Sequence, residues 1–273
     1  MSPRVALVTF ADFPGGWDDD KVLAGALRRL GAEVGFVCWD DPSVQWAALD
    51  LAVVRSTWDY YHRIDAFLAW ADFVAGATRL VNGVDTIRWN SHKGYLLELE
   101  AAGVPIVPTR VVRRGEAFAL PIGDWIVKPA VSGGAHRTTR GATQADLDAL
   151  VADTDALVQP YRYEIESGET SLVCIAGELS HAVHKVPEPG DYRTQEHLGA
   201  AVELVDTAPR LAALARDVLA LAPEVPAYAR VDVVETADGP LLMELELIEP
   251  TLWFARHPPA AEALASHLLA QLG

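Results

Sequence analysis

Short apolar runs alternate with helix-like stretches along the first third of the chain, and this alternation constrains the fold more than any other feature. Residues 4–10 form a continuous apolar run that is typical of a buried strand. Residues 18–31 follow as an amphipathic helix that ends at a glycine. The pattern continues with strands predicted at 34–39, 51–55 and 80–82 and a helix at 64–75. We therefore predict a parallel α/β lobe over residues 1–88.

The remainder of the chain mixes strands and helices without this strict order. Asn90 and Ser91 are typical helix caps, so we predict a helix that begins there and runs to Ala102. Further predictions are strands at 124–128, 155–161, 169–176, 178–186, 227–234 and 240–247, helices at 144–152, 209–221 and 259–272, and a loop rich in glycine and charge at 187–200. This part of the chain is predicted as α+β.

Charge narrows the choice of partners. The 273 residues carry a net charge of −16, from 22 basic and 38 acidic side chains, which argues against nucleic acid and anionic membranes as partners. No apolar stretch is long enough to span a membrane, and the N-terminus lacks a secretory h-region, so we expect a cytoplasmic protein. Cys38 and Cys174 are too far apart in sequence for a short zinc motif and are expected to be core residues.

Three carboxylates cluster in the predicted C-terminal hairpin. Glu244 and Glu246 share one face of a strand, roughly 7 Å apart. With a hairpin loop at 237–239, Asp232 falls opposite Glu244. Like charges so placed need neutralisation, and Mg²⁺ prefers carboxylate and phosphate oxygens. The hairpin therefore predicts a divalent-metal site with Arg230 beside it; magnesium is the natural candidate, although the pattern alone does not name the metal. A merely exposed acidic face is the alternative, but the residues between the carboxylates are nearly all apolar.

Two lysines and a glycine loop indicate anion binding. Lys93 lies near a predicted helix N-terminus, where the helix dipole disfavours a cation, so its charge is expected to serve a ligand. Lys128 ends an apolar strand and must reach an anion or solvent. Gly133 and Gly134 follow in a loop whose bare backbone N–H groups could approach a phosphate. Each feature alone is weak, since a lone lysine is usually solvated and a lone Gly-Gly is usually a turn.

Together these pieces resemble the ATP-grasp superfamily over residues 90–250. Gln159-Pro160-Tyr161 resembles its hinge and Gly168-Glu169 its ribose contact, while Gly190-Asp191-Tyr192-Arg193 is similar to the arginine motif of ribosomal-protein glutamate ligases and bacterial glutathione synthetase. The resemblance implies ATP binding by Lys93, Lys128, Gly133, Gly134, Gln159, Pro160, Tyr161 and Glu169, binding of Mg²⁺, in two ions, by Asp232, Glu244 and Glu246, and catalytic roles for Arg193 and Arg230.

The same resemblance implies a fold. An N-terminal pre-ATP-grasp lobe over 1–88 would precede a central lid lobe over 89–160 and a C-terminal lobe with the metal site over 161–273. One departure concerns the metal site, because Glu246 stands where the superfamily usually has Asn. Glu249 is an alternative ligand there.

A narrower resemblance covers almost the whole chain. The stretches 55–60 and 244–250, among others, look like those of the ATP-grasp enzymes of D-cycloserine biosynthesis and their relatives. Those enzymes join a carboxylate to a nitrogen of the same molecule and so close a ring. The resemblance implies a carboxylate–amine ligase that forms an acyl phosphate from ATP, acts on a small-molecule carboxylate and amine, and releases ADP and phosphate. A homodimer is common among such proteins. A phosphotransferase and a non-catalytic ATP-binding protein on the same fold are the alternatives.

The substrate is expected at the carboxyl edge of the third strand, where such sheets bind ligands. There Arg55 could hold a carboxylate, Asp59 an ammonium group, and Trp58 could form a wall, with Ser56 and Thr57 between them. The alternative is that this segment packs the interface between lobes.

Overall fold

The N-terminal lobe is a parallel sheet covered on both faces, in a computed structural model that describes residues 2–273 apart from the side chain of His197. Its elements are β1 (Arg4–Thr9), α1 (Asp18–Arg29), β2 (Glu33–Cys38), β3 (Leu51–Ser56), α2 (Ile64–Ala77) and β4 (Arg79–Val81). The strands lie in the order β2-β1-β3-β4, and all pair in parallel. The predicted parallel α/β lobe is confirmed.

Alternation along β1 explains why two helical layers are needed. Leu7 packs in one core with Leu23 of α1 and Leu264 of the C-terminal helix α7 (Pro258–Ala270). Val8 points to the opposite face and packs in a second core with Phe67 of α2. Successive side chains of a strand alternate between faces, so an all-apolar strand must be buried on both.

Two short helices replace the single helix predicted from Asn90 to Ala102. They are α3 (Val84–Ser91) and α4 (Tyr95–Ala101), so the cap prediction is wrong. Asn90 does not cap a helix because its amide is engaged elsewhere, donating to the Leu245 carbonyl and accepting from the Leu247 N–H, each at 2.8 Å. The chain turns between the helices, and the Lys93 N–H bonds to the Ala130 carbonyl.

The central sheet is small and antiparallel. It contains β5 (Arg110–Val112), β6 (Trp125–Pro129), β7 (Thr139–Arg140) and β8 (Ala156–Pro160), in the order β5-β8-β6-β7. Helix α5 (Gln144–Val151) begins with Thr143, whose side chain accepts a hydrogen bond from the Asp146 N–H while the Asp146 carboxylate accepts from the Thr143 N–H. Leu147 and Leu150 of this helix pack on Val127 and Val158.

The C-terminal sheet has five antiparallel strands and carries most of the site. They are β9 (Glu169–Ile175), β10 (Glu178–Val186), β11 (Ala201–Val205), β12 (Tyr228–Thr236) and β13 (Gly239–Glu246), in the order β11-β10-β9-β12-β13. Helix α6 (Pro209–Leu219) packs on one face. The edge strand β11 was not anticipated, because it directly follows the predicted loop. The mixed α/β and α+β class is confirmed, whereas the lobe boundaries at 88/89 and 160/161 stay predictions.

The hairpin of β12 and β13 differs from its predicted geometry at the tip and agrees with it at the base. Thr236 pairs with Gly239, so the loop is one residue shorter than the predicted 237–239 loop. A register shift after Asp232 leaves Met243 as an extra residue on β13. This bulge compensates for the shorter loop, and Asp232 lies opposite Glu244 as predicted.

One face of the C-terminal sheet is divided along its length. At one end Val173, Ile175 and Tyr228 join the core of the N-terminal lobe. At the other end the same face carries polar side chains, because Glu169 and Ser171 continue the period-two series of β9. The sheet thus anchors the N-terminal lobe with one half and presents a polar surface with the other.

Asn82 connects the two lobes that this sheet joins. Its buried amide donates to the carbonyls of Tyr228 and Leu247, at 2.8 and 2.7 Å, and accepts from the Ala227 N–H at 2.8 Å. Its backbone has φ +52°, a left-handed conformation that asparagine tolerates better than most residues.

We expect Asn82→Ala to lower the free energy of unfolding by about 3 kcal/mol, because three buried backbone groups lose their partner. Urea unfolding and the melting temperature measure the loss. Alanine is also strained at the left-handed φ of this position. Asn82→Gly separates this strain from the lost hydrogen bonds, because glycine adopts the left-handed backbone freely and the variant loses only the amide. An alanine variant as stable as the native protein would contradict the assignment.

Within residues 2–273, no helix combines the length and the apolar composition that crossing a bilayer requires.

Candidate active site

A large cavity of about 860 Å³ lies where the three sheets meet. Every residue predicted to bind nucleotide or metal or to act catalytically lines it: Lys93, Lys128, Gly133, Gly134, Gln159, Pro160, Tyr161, Glu169, Arg193, Arg230, Asp232, Glu244 and Glu246. Of the predicted substrate residues, only Trp58 does. The structure therefore brings together side chains that are up to 188 residues apart in sequence, from Trp58 to Glu246.

The two lysines reach the cavity from different elements. Lys93 lies in the turn between α3 and α4, and its ammonium is 3.0 Å from Glu244 and also donates to the Ser132 carbonyl. Lys128 is on β6 and, among the described residues, has neither an ion-pair nor a hydrogen-bond partner. Burial lowers the pKa of Lys128, and Glu244 acts in the opposite direction. A half-buried ammonium that faces a cavity without a partner is suited to an anionic ligand.

The glycine loop after β6 forms part of the cavity wall. Gly134, Ala135 and Arg137 have φ of +57°, +59° and +51°, so the loop is a compact series of left-handed turns. A Cβ on Gly133 would lie 3.3 Å from the Tyr61 ring, which is a tight approach. Turns of this kind expose consecutive backbone N–H groups, which favours phosphate binding.

Cross-strand pairing builds an ion network on the polar half of the C-terminal sheet. Glu169 pairs with Lys185 across β9 and β10, with their charged atoms 2.6 Å apart. Asp232 accepts from Ser171, its partner on β9, and from Arg230 at 2.8–3.1 Å. Arg230 also donates to Glu246, its direct partner on β13. Acidic and basic side chains thus lie next to each other across β10, β9, β12 and β13, and each of these charged groups has a partner of opposite charge.

Lys185 and Trp253 belong to this site although no role was predicted for either. Lys185 is 5 % exposed, lies 3.8 Å from Asp232 and sits above the Trp253 ring. The Trp253 ring also stacks under Arg230, 5.5 Å from its guanidinium carbon. The available signal was the position of Lys185 near the end of a long predicted strand, because a charge on a buried strand needs a partner.

Arg193 is positioned differently from the other cations. It lies in the 187–200 loop, 42 % exposed, and its guanidinium forms a bidentate pair with Asp191, 2.7 Å at the closest. This pair lowers the pKa of Asp191 below its usual range. Arg193 must therefore leave Asp191 before it can bind a ligand in the cavity.

The donor set fits a hard divalent cation in its chemistry. Asp232, Glu244 and Glu246 offer only carboxylate oxygens, as Mg²⁺ prefers. They do not converge as a formed cage, since within the described part of the chain no group of three His, Cys, Asp or Glu side chains is arranged to hold a metal. Each carboxylate instead pairs with a lysine or arginine. A bound metal ion would therefore take the place of the lysine or arginine that each carboxylate contacts in the ligand-free protein.

The predicted substrate segment is mostly structural, which corrects its assignment. Arg55 is 2 % exposed, bonds to Asp20 and to the Pro250 carbonyl, and does not line the cavity. Ser56 and Thr57 are buried beneath it.

Asp59 is likewise occupied, because it accepts from Trp39 and Arg63. Trp58 alone faces the cavity, and its indole N–H donates to the Glu249 carbonyl at 3.1 Å. The alternative interpretation, in which the segment packs the lobe interface, describes Arg55, whereas Ser56 and Asp59 bond to Thr9, Trp39 and Arg63 within the N-terminal lobe.

Two cavity carboxyls retain protons at higher pH than usual. Burial, reinforced by Glu244 and Asp232, raises the pKa of Glu246 to about 7 against the opposing charge of Arg230. Burial and the charge of Glu246 raise the pKa of Glu249 to about 8. The charge of Lys93 does not reverse the latter shift. The folded protein thus holds protons that the unfolded chain releases above pH 4.5.

We expect the melting temperature of the ligand-free protein to fall as pH rises from 5 to 9. Raised carboxyl pKa values stabilise the fold below the unfolded pKa, and this contribution is lost as pH passes through the folded pKa values, which are about 7 and 8. Calorimetry of Glu249→Gln should show a shallower decline, and the exposed Glu203→Gln should follow the native curve. A Glu249→Gln variant whose melting temperature stays parallel to that of the native protein over this range would contradict the assignment.

Three sheets around a cavity that holds two lysines, a glycine loop and a carboxylate hairpin define an ATP-grasp enzyme. Residues 5–82 match the family described as D-cycloserine synthetase DcsG, N-terminal domain, and residues 137–252 match the RimK-like ATP-grasp domain. The chain is 31 % identical over 279 residues to the cycloserine biosynthesis protein DcsG of Streptomyces lavendulae, covering 91 % of this chain and 92 % of that protein. The chain therefore belongs to the RimK-like ATP-grasp ligase family that includes DcsG, and it is a carboxylate–amine ligase.

Two further similarities support this family. The ribosomal protein bS6–L-glutamate ligase of Salmonella paratyphi B is 28 % identical over 138 residues, 44 % of this chain and 45 % of that protein. The crystal structure of D-cycloserine synthetase DcsG superposes with a TM-score of 0.87 and 28 % identity, covering 99 % of this chain and all of that one.

Proposed function

We propose that the protein uses ATP to phosphorylate a substrate carboxylate and then couples the acyl phosphate to a nitrogen nucleophile, releasing ADP and phosphate. The observation that carries the proposal is the gathering of Lys93, Lys128, Lys185 and Arg230 with the carboxylate hairpin in one cavity. Phosphoryl transfer depends on positioning and charge neutralisation more than on acid–base groups. A cavity with paired but exchangeable charges supplies both.

ATP would lie along the central sheet in this proposal. The backbone of 159–161 would contact the adenine, since the Gln159 side chain is already bonded to Thr109. Glu169 would accept the ribose hydroxyls, while Lys93 and Lys128 would bind the α- and β-phosphates. Lys128 could bind a phosphate without breaking an existing ion pair. Lys93 would have to break its ion pair with Glu244, which would then bind the metal.

Magnesium, in two ions, would be held by Asp232, Glu244 and Glu246 and would neutralise the charge that develops on the phosphates. The Arg230 guanidinium donates to both Asp232 and Glu246. In the reaction, two of its N–H groups would instead donate to the transferred phosphoryl group. Arg193 would join it after leaving Asp191. The 187–200 loop would then cover the cavity and keep water from the acyl phosphate.

We infer that both reacting groups belong to one small molecule, so that the reaction closes a ring. Support comes from the relative that the chain matches over nearly its whole length, a cycloserine biosynthesis protein, and from the matching N-terminal lobe. Coupling of two separate molecules is the competing outcome, since the bS6 ligase matches only part of the chain.

The test is oxygen transfer combined with product mass. The enzyme would be incubated with Mg-ATP and a panel of amino acids, short peptides and O-ureido-D-serine whose carboxylates carry ¹⁸O. An acyl phosphate requires ¹⁸O in the released phosphate. A product made from one substrate molecule supports ring closure, and one made from two supports intermolecular coupling. A stable phosphorylated product would contradict ligation and favour a phosphotransferase.

A further inference from the structure

One carboxylate in the cavity has no cation partner. Six acidic residues line the cavity, namely Glu169, Asp232, Glu244, Glu246, Glu196 and Glu249, and Glu196 forms an ion pair with Arg256. The first four form ion pairs with Lys185, Arg230, Lys93 and Arg230 respectively. Among the described residues, no lysine, arginine or histidine forms an ion pair with Glu249. The lack of a cation at this position accompanies the raised pKa of Glu249, and a bound cation would favour its ionised form.

Glu249 lies between the N-terminal lobe and the glycine loop. Its backbone carbonyl accepts the Trp58 indole N–H, which fixes the residue against the N-terminal lobe. A Cβ on Gly133 would be only 3.6 Å from the Glu249 Oε1 atom, so the side chain reaches the glycine loop. Any larger residue at Gly133 would crowd this carboxylate and the Tyr61 ring together.

An aromatic wall formed by Phe13, Trp17 and Trp58 borders the cavity on the same side. The ring centroids lie 5.0 Å apart for Phe13 and Trp17, 5.8 Å for Phe13 and Trp58, and 5.3 Å for Trp17 and Trp58. All three line the cavity together with Glu249. Aromatic faces beside a carboxylate attract organic cations, because the ring quadrupole and the charge act in the same direction.

We propose that Glu249 and the aromatic wall bind an ammonium group of the substrate. The substrate class is then an amino acid or amino-acid derivative, with the reacting carboxylate towards Arg230 and the ammonium towards Glu249. This inference rests on the proposed ligase function and deepens it. It also moves the ammonium site from Asp59, which is occupied by Trp39 and Arg63, to a residue on the other lobe.

Magnesium ligation by Glu249 is the competing role, and the two roles predict different losses. An ammonium site affects the affinity for the substrate amine and leaves the magnesium requirement unchanged. A metal ligand changes the magnesium concentration needed for half-maximal ADP release, whichever substrate is used.

The experiment compares the native enzyme with Glu249→Gln, which keeps the shape and removes the charge. The probes are the amino compound of the panel that gives the fastest ADP release, and its desamino analogue as a competitive inhibitor. We expect the KM for the amino compound to rise about 10- to 100-fold in Glu249→Gln, with the inhibition constant of the analogue nearly unchanged. Glu249→Asp should restore part of the affinity, and magnesium titrations of all three proteins should coincide.

Two results would overturn the ammonium site. One is equal weakening of the amino compound and its desamino analogue, and the other is a shifted magnesium requirement with unchanged selectivity for the amine. Absence of ADP release from the native enzyme with every panel member contradicts instead the ligase proposal itself. The two failures are therefore distinguishable.

Discussion

Replacement of Glu244 by glutamine should reduce ADP formation at least about 10³-fold, because it removes a charge that the proposed metal site requires. Glu244 faces Asp232 across the hairpin and lies 3.0 Å from the Lys93 ammonium. Lys93 and Lys128 lower its pKa even though burial opposes them, so the carboxylate is ionised at neutral pH. Glutamine fills the same space and offers one neutral oxygen, which is a poor ligand for Mg²⁺.

The measurement is steady-state ADP release with magnesium varied over a wide range. Glu235→Gln is the matched control, because Glu235 lies on the same hairpin and pairs with Arg210 outside the cavity. Circular dichroism and the melting temperature check that the fold is retained, since Lys93 loses its partner. Turnover near the native level at saturating magnesium would show that Glu244 is not a metal ligand.

Replacement of Lys128 by alanine should separate activity from stability. We expect kcat/KM for ATP to fall about 10²- to 10³-fold, as for loss of one preorganised donor to a charge in the transition state. The melting temperature should stay the same or rise, because Lys128 is a half-buried cation without an ion-pair or hydrogen-bond partner among the described residues, and desolvation lowers its pKa. Loss of a structural ion pair would have the opposite effect on stability.

The exposed Lys21→Ala provides the control, and both variants would be measured by ATP kinetics and calorimetry. Lys21 pairs only with Asp18 on the surface of α1. A Lys128 variant that melts much lower and keeps its affinity for ATP would identify this lysine as structural. That result would also remove the main reason to place phosphates next to β6.

The sequence was most informative where local pattern and chemistry coincide. Period-two alternation on a buried strand was sufficient to place Glu244 and Glu246 on one face, and the pairing with Asp232 followed from the hairpin. Lys128 was identifiable because a charge at the end of an apolar strand needs an explanation. These arguments depend on neighbours within a few residues, which is the range over which backbone geometry is predictable.

Long-range contacts account for the failures. Asn90 has the composition of a helix cap, but its amide bonds to β13, more than 150 residues later in the chain. Arg55 follows a strand at the ligand-binding edge, yet Asp20 and the Pro250 carbonyl cover it. Lys185 could be recognised as paired only after β9 and β10 were aligned. In each case the deciding partner lies on a distant element.

Because of the bulge at Met243, the register at the base of the hairpin does not depend on the length of the loop at its tip. Because the extra residue on β13 absorbs the difference, the tip at 237–238 and the pairing of Asp232 with Glu244 are set independently. The tip is therefore a natural insertion point, where a peptide tag or a reporter could be grafted without displacing the carboxylates. By the same reasoning, deletion of Met243 would make the ladder regular and keep Glu244 opposite Asp232, whereas deletion of a paired residue of β13 nearer its C-terminal end would change the register.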